Sequence, residues 1–290
     1  MIKTILVPAT GNLTDATTYP LAFAIARLSA AHVDALHVAA DPVEVVVNLA
    51  SDGAGASGVL SERLIADMKA DIDARQRAAQ RNFAEACARD KLAIAETPTV
   101  TDGPSAQWHS EVGQEPLWMV NYGMTADVIV VSRGKQGQEA EARATLEAVL
   151  LETGRPVLVP ATAPRSPTSP DRIAIAWKPT PQASRAVACA LPLLKRAKTV
   201  TVLSVEEDPR RGEDTGRLAG YLAWHGIRPV IKRLGIGVNG GPETLLSAAC
   251  ETADLLVMGG YGHARLREWV FGGFTQRVLE DAPIPVFLAH

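Results

Sequence analysis

Residues 125–134 read Thr-Ala-Asp-Val-Ile-Val-Val-Ser-Arg-Gly, and residues 252–261 read Thr-Ala-Asp-Leu-Leu-Val-Met-Gly-Gly-Tyr. The same tripeptide twice launches a short apolar run that ends in a turn. A chain that repeats itself on this scale is two copies of one structural plan, so any fold assigned to one half has to serve the other. The register extends beyond the tripeptide: Ile5-Leu6-Val7 aligns with Ile173-Ala174-Ile175, and Asp41-Pro42 with Asp208-Pro209, at almost the same separation. The separation then shortens by about forty residues at the two Thr-Ala-Asp sites, which puts an insert in the first copy at about 43–80.

Within each copy, short β-branched runs alternate with longer amphipathic stretches, the pattern of βαβ units around a parallel sheet covered on both faces. The second copy predicts strands near 172–177, 199–205, 228–234, 254–258 and 284–289, with helices near 181–197, 214–225, 241–252 and 273–281. The first predicts strands near 2–8, 32–39, 92–99, 127–132 and 156–160, its second helix lengthened to about 59–90. Between the copies, Pro160–Pro170 holds four prolines and no apolar periodicity, an extended linker that sets the boundary near Arg165. The expected fold is therefore α/β, two tandem five-stranded, doubly wound parallel-sheet domains over 1–164 and 165–290.

With 47% hydrophobic and 21% charged residues, each half has the means to bury its own core. A net charge of −3 lacks the basic footprint of a nucleic-acid binder, and no run approaches the ~20 apolar residues of a membrane span. Cys87, Cys189 and Cys250 are scattered and odd in number, which suits a reducing compartment, and Met1 leads straight into a strand without a signal-peptide pattern. The expectation is a cytoplasmic protein that meets neither nucleic acid nor membrane.

The second copy carries Gly259-x2-Gly262-x9-Gly272-Gly273, between the end of its fourth strand and the helix bearing Thr275, Gln276 and Arg277. In an open parallel sheet that is where ligands bind, and N–H groups freed of Cβ atoms at a helix start attract anionic oxygen. His263, Arg265 and Arg267 in the same stretch add charge for phosphate. A glycine-rich turn of purely structural use has the same composition, and both readings stay open at this level.

Two lookalikes are set aside. Gly235-x-Gly237-x2-Gly240 matches the dinucleotide string but follows the third strand rather than the first, and reads as a spacer. Gly134-Lys135 lacks the remainder of a phosphate-binding loop. Catalytic signals are thin: the histidines at 32, 37, 109, 225, 263 and 290 show no metal-ligand spacing, and Trp108, His109 and Trp118 read as aromatic packing under a loop.

These residues resemble the universal stress proteins in their tandem form. Gly259-x2-Gly262-x9-Gly272 fits that family's loop after the fourth strand, and Ile284-Pro285-Val286-Phe287-Leu288 resembles its last strand. The resemblance implies an adenine nucleotide alpha hydrolase-like domain that binds ATP, with or without Mg²⁺, and acts by binding rather than turnover. It also implies that the final strands pair, making the two copies an internal pseudo-dimer; whether two chains pair further is left open. Carried over by position, Ala176 and Val205 would supply the base side, and Met258, Gly259, Gly262, His263, Gly272, Gly273, Phe274 and Thr275 the ribose and phosphate side.

Departures accompany the match. Lys178 stands at an acidic position of the family, and Gly273 at a Ser/Thr position for which Thr275 is the nearest substitute. In the first copy Thr10 replaces the acid and Gly134-x2-Gly137-x9-Glu147 replaces the glycines, which implies that no nucleotide binds there, with Glu147 repelling phosphate. The expectation is a stress-associated ATP-binding protein, its nucleotide in the second copy. The alternative is a structural or interaction protein that binds no nucleotide, or takes another small ligand in the first copy.

Overall fold

The computed structural model describes residues 1–43, 62–97, 103–133, 139–162, 170–206, 214–238, 240–260 and 273–290. Most of the insert's first part, the boundary near Arg165 and the glycine-loop residues 261–272 lie outside them.

The first half runs β1 (Thr4–Pro8), α1 (Asp15–Ser29), β2 (His32–Ala39), α2 (Glu62–Asp90), β3 (Ala93–Ile94), β4 (Ser105–Val112), α3 (Glu115–Gly123), β5 (Val128–Val130), α4 (Glu139–Glu152) and β6 (Val157–Val159). The second runs β7 (Arg172–Ala176), α5 (Pro181–Leu194), β8 (Thr199–Glu206), α6 (Asp214–Trp224), β9 (Val230–Gly235), α7 (Gly241–Thr252), β10 (Leu255–Gly259), α8 (Gly273–Asp281) and β11 (Val286–Ala289). The eleven strands of the described residues join one sheet in the order β3-β4-β2-β1-β5-β6-β11-β10-β7-β8-β9. Each half thus repeats a doubly wound order, mirrored about the centre.

The parallel strands are apolar throughout because helices cover both faces. Alternate residues feed the two layers: Ile5 and Val7 join one core cluster, and Leu6 the other. At the centre, β6 and β11 run antiparallel, with Phe287 opposite Leu158 and Val286 opposite Val159, all fully buried. This pairing closes the backbone edges that each half would otherwise expose, as the pseudo-dimer reading expects.

The repeated Thr-Ala-Asp has a structural use. Asp127 Oδ2 accepts from the backbone N–H groups of Lys3 and Thr4 at 2.6 and 3.1 Å. Asp254 accepts from the Arg172 N–H at 3.1 Å and from its guanidinium at 2.6 Å. Each aspartate therefore ties the start of its half's first strand to the start of its fourth. The clamps sit at the amino edge of the sheet, opposite the edge where ligands are expected.

Two expectations are corrected. The first half's third long strand is Ser105–Val112, and among the described residues of the expected 92–99 the strand is Ala93–Ile94, at the outer edge. Trp108 and His109 accordingly lie on a strand and not under a loop: the Trp108 ring stacks on His37 with centroids 5.7 Å apart and meets Phe83 of α2 at 5.7 Å. The other correction concerns Glu147, which sits well inside α4, paired with Arg143 at 2.9 Å. Counted back from the shared Pro-Val of the last strands, α4 begins earlier than its counterpart α8, so the glycine pattern and the helix start do not coincide in this half.

The long α2 packs against α1 through Phe83, whose ring lies 6.2 Å from Tyr19. Its approach to the β1–α1 loop is close. A Cβ on Gly11, φ +73°, would stand 2.4 Å from the Arg75 carbonyl oxygen. Buried Asp15 fixes that loop by accepting from the Thr10 N–H (3.0 Å) and hydroxyl (2.7 Å), the Gly11 N–H (2.9 Å) and Asn82 Nδ2 of α2 (2.9 Å).

Candidate functional site

In the second half the chain passes outward from β7 to β8 and β9, then returns on the other side of β7 as β10. The crevice created by that reversal lies over the carboxyl ends of β7 and β10. Ala176 and Met258 are register partners there, and Val205 is one residue from the end of neighbouring β8. Met258 is buried, whereas Ala176 and Val205 are half-buried.

Phe274, 40% exposed, is the second residue of α8. Its ring carbon lies 3.3 Å from where a Cβ on Gly241 would stand, and Val205 lies 3.7 Å from the same point. Bare backbone, an aromatic ring and a valine make one apolar corner beside the strand ends. Any side chain on residue 241 would take part of it. Gly241 was not among the residues expected here; the sign of it in the sequence is Gly240-Gly241-Pro242 directly ahead of a helix, next to the string that reads as a spacer.

The remaining expected residues fall as follows. Gly259 ends β10, and a Cβ on it would stand 2.5 Å from the Ala183 backbone nitrogen, so its bareness serves the approach of α5. Lys178 is exposed in the β7–α5 turn, where its carbonyl accepts from the Thr180 N–H at 2.7 Å and Thr180 Oγ1 caps the helix at Ala183 N, 3.2 Å. Gly273 opens α8 with no atom of the described residues within 4 Å of an added Cβ, and Thr275 is buried at 7% exposure. Gly262, His263, Arg265, Arg267 and Gly272 lie outside the described residues. The part that is described suits the flat, apolar face of a nucleobase.

The first half places a different chemistry at the equivalent crevice. A pocket that opens to solvent lies over the ends of β1, β2 and β5. Glu115-Pro116 opens α3 as Gly241-Pro242 opens α7, and Thr145 stands on α4 where Phe274 stands on α8. Thr145 Oγ1 donates to Glu115 Oε1 at 2.9 Å. Burial pushes the Glu115 carboxyl above its ordinary value, the Thr145 hydrogen bond opposes this, and the neighbouring Glu141 adds to it. The acidic groups that line this pocket are Glu115 and Glu141 rather than the expected Glu147. Among the described residues, no three His, Cys, Asp or Glu side chains converge as metal ligands, and no helix is long and apolar enough to cross a membrane.

The model of the Universal stress protein family matches residues 170–290. Residues 170–290 are a universal stress protein domain. The crystal structure of a universal stress protein from Archaeoglobus fulgidus superposes on 99% of this chain and 95% of its own, with a TM-score of 0.68 at 16% identity. A putative universal stress protein from Pseudomonas aeruginosa does so over 99% and 93%, with a TM-score of 0.55 at 15% identity. At such identities the likeness is one of fold, and it extends the universal stress protein architecture over both halves. No curated protein matches the chain.

Proposed function

We propose that this chain is a stress-associated protein of the cytoplasm that binds ATP, or another adenine nucleotide, in its second half and acts by binding rather than turnover. The observation that carries the reading is the Val205–Gly241–Phe274 corner at the β7/β10 crevice, beside a glycine pattern suited to phosphate. The base would lie against the corner and the strand-end residues Ala176 and Met258, and the phosphates would meet the glycine stretch, with Mg²⁺ as their counter-ion. Bound ATP would supply the charge and bulk by which a partner tells the loaded protein from the empty one. Turnover is not part of the reading, because the sequence offers no catalytic motif for activating water. The first half serves as the covalent dimer partner.

Titration calorimetry of the full chain with ATP and Mg²⁺ tests this. Saturable heat that disappears in Gly262→Val is the expected result. No heat at millimolar nucleotide would favour the second reading, a structural or interaction protein, which Lys178 and Gly273 speak for.

A further inference from the structure

The first-half pocket is walled by groups that disfavour an anion. Among the described residues, Glu115 and Glu141 border it against one cation, Arg75, whose guanidinium lies 3.8 Å from Glu141. Asp15 adds charge behind the loop, but its oxygens are already taken by Thr10, Gly11 and Asn82. The loop hydroxyls are likewise spent on one another, Thr10 on Thr14 at 3.0 Å and Thr14 on Asn12 at 2.5 Å.

One lining side chain is left over. His37 is 2% exposed, and its Nδ1 faces the Ala9 carbonyl at 2.8 Å. A carbonyl only accepts, so Nδ1 carries the proton and Nε2 presents a lone pair. Among the described residues that buried Nε2 has no hydrogen-bond partner. Burial lowers the imidazole pKa, with the Arg75 charge acting in the same direction against the Ala9 bond and Asp15, so the ring stays neutral and an acceptor. An unpaired buried acceptor beside two carboxylates calls for a donor that carries positive charge.

We propose that the first-half pocket binds a small organic cation, an amine or guanidinium compound, whose N–H groups meet Glu115 and the His37 Nε2. The site occupies the place of the other half's nucleotide crevice but inverts its charge preference, and it stands independently of the nucleotide reading. Because Glu115 is held toward its protonated form by burial and by Glu141, against Thr145 and Arg75, a bound cation would draw the proton off. Binding would then tighten as pH rises and would release protons.

The experiment is calorimetry of the full chain with putrescine and agmatine, using 1,4-butanediol as the uncharged counterpart of putrescine. Saturable binding of a cationic probe, absent for the diol, weakened roughly tenfold or more by Glu115→Gln and accompanied by proton release, is expected. Glu141→Gln, on an exposed side chain, should weaken it less and provides a second variant if Glu115→Gln does not fold. No saturable heat with either cation, equal binding of the diol, or displacement of the cation by ATP would overturn the proposal. Gly262→Val should leave cation binding unchanged, so failure of this site and failure of the nucleotide site are told apart.

Discussion

The ring of Phe274 lies over the bare backbone of Gly241, 3.3 Å from the point a Cβ there would occupy. In the other half the equivalent positions set Thr145, inside α4, against Glu115 at the start of α3. One architecture therefore offers an apolar corner on one side and a carboxyl on the other, and the predictions below turn on that contrast.

Phe274→Ala should weaken ATP binding by about tenfold, since stacking of a base on an aromatic ring contributes roughly 1–3 kcal/mol. The ring is 40% exposed, so the melting temperature should hardly move. Calorimetry and thermal unfolding on the same variant check both; a lower melting temperature with unchanged affinity would make Phe274 a packing residue alone.

Gly273→Ser should tighten ATP binding. No atom of the described residues lies within 4 Å of an added Cβ, so a serine fits beside them without displacement and restores the hydroxyl that the family pattern has there. One charge-assisted hydrogen bond suggests a gain of up to about tenfold. A titration that shows no gain would mean phosphate does not sit at the α8 start.

Gly259→Val should destabilise the protein by about 3 kcal/mol or more, with or without nucleotide. Its Cβ would meet the Ala183 nitrogen at 2.5 Å and the Gln182 carbonyl carbon at 2.8 Å, backbone atoms that cannot swing aside. Urea unfolding measures the loss; a near-neutral result would show that α5 does not approach β10 this closely.

A fourth prediction concerns acid. Asp34 accepts from His109 Nε2 at 2.9 Å and faces His32 Nε2 at 3.4 Å. Burial pushes its carboxyl up, but the hydrogen bonds from His109 and His32 outweigh burial and bring it down to about 2. A carboxyl depressed in the folded state stabilises fully above its unfolded value and loses that contribution as pH falls toward 2. Asp34→Asn should therefore cost at most about 2 kcal/mol near neutrality, because part of the carboxylate stays in solvent, and the gap should close between about pH 4 and 2. Unfolding curves of both proteins over that range provide the check; a pH-independent gap would rule out the charge as its source.

Much of this was legible in the sequence because parallel strands buried on both faces are nearly uninterrupted apolar runs. All five strands of the second half lie where periodicity put them, and the Pro-Val seam follows from edge strands that need partners. The first half's third strand was misplaced for a physical reason. Ser105–Val112 reads SAQWHSEV, polar at alternate places, because its outer face is only partly covered, and the apolar run near Ala93 competed with it. Glu115 was hidden for another reason. Nothing in a Glu-Pro helix start reveals that a threonine thirty residues on will hold the carboxyl in a pocket. Gly241 was obscured by a string that resembled something else. Contacts between distant segments are the part that spacing along the chain does not encode.

The antiparallel join of β6 and β11 has an evolutionary consequence. In an assembly of two identical polypeptides, every substitution falls on both crevices at once, so neither can specialise while the other is kept. Fusing the copies through Leu158 and Phe287 keeps the same union of sheets but gives each crevice its own codons. A glutamate could then enter at 115 while a glycine stayed at 241, and a single molecule could come to answer two chemically opposite signals.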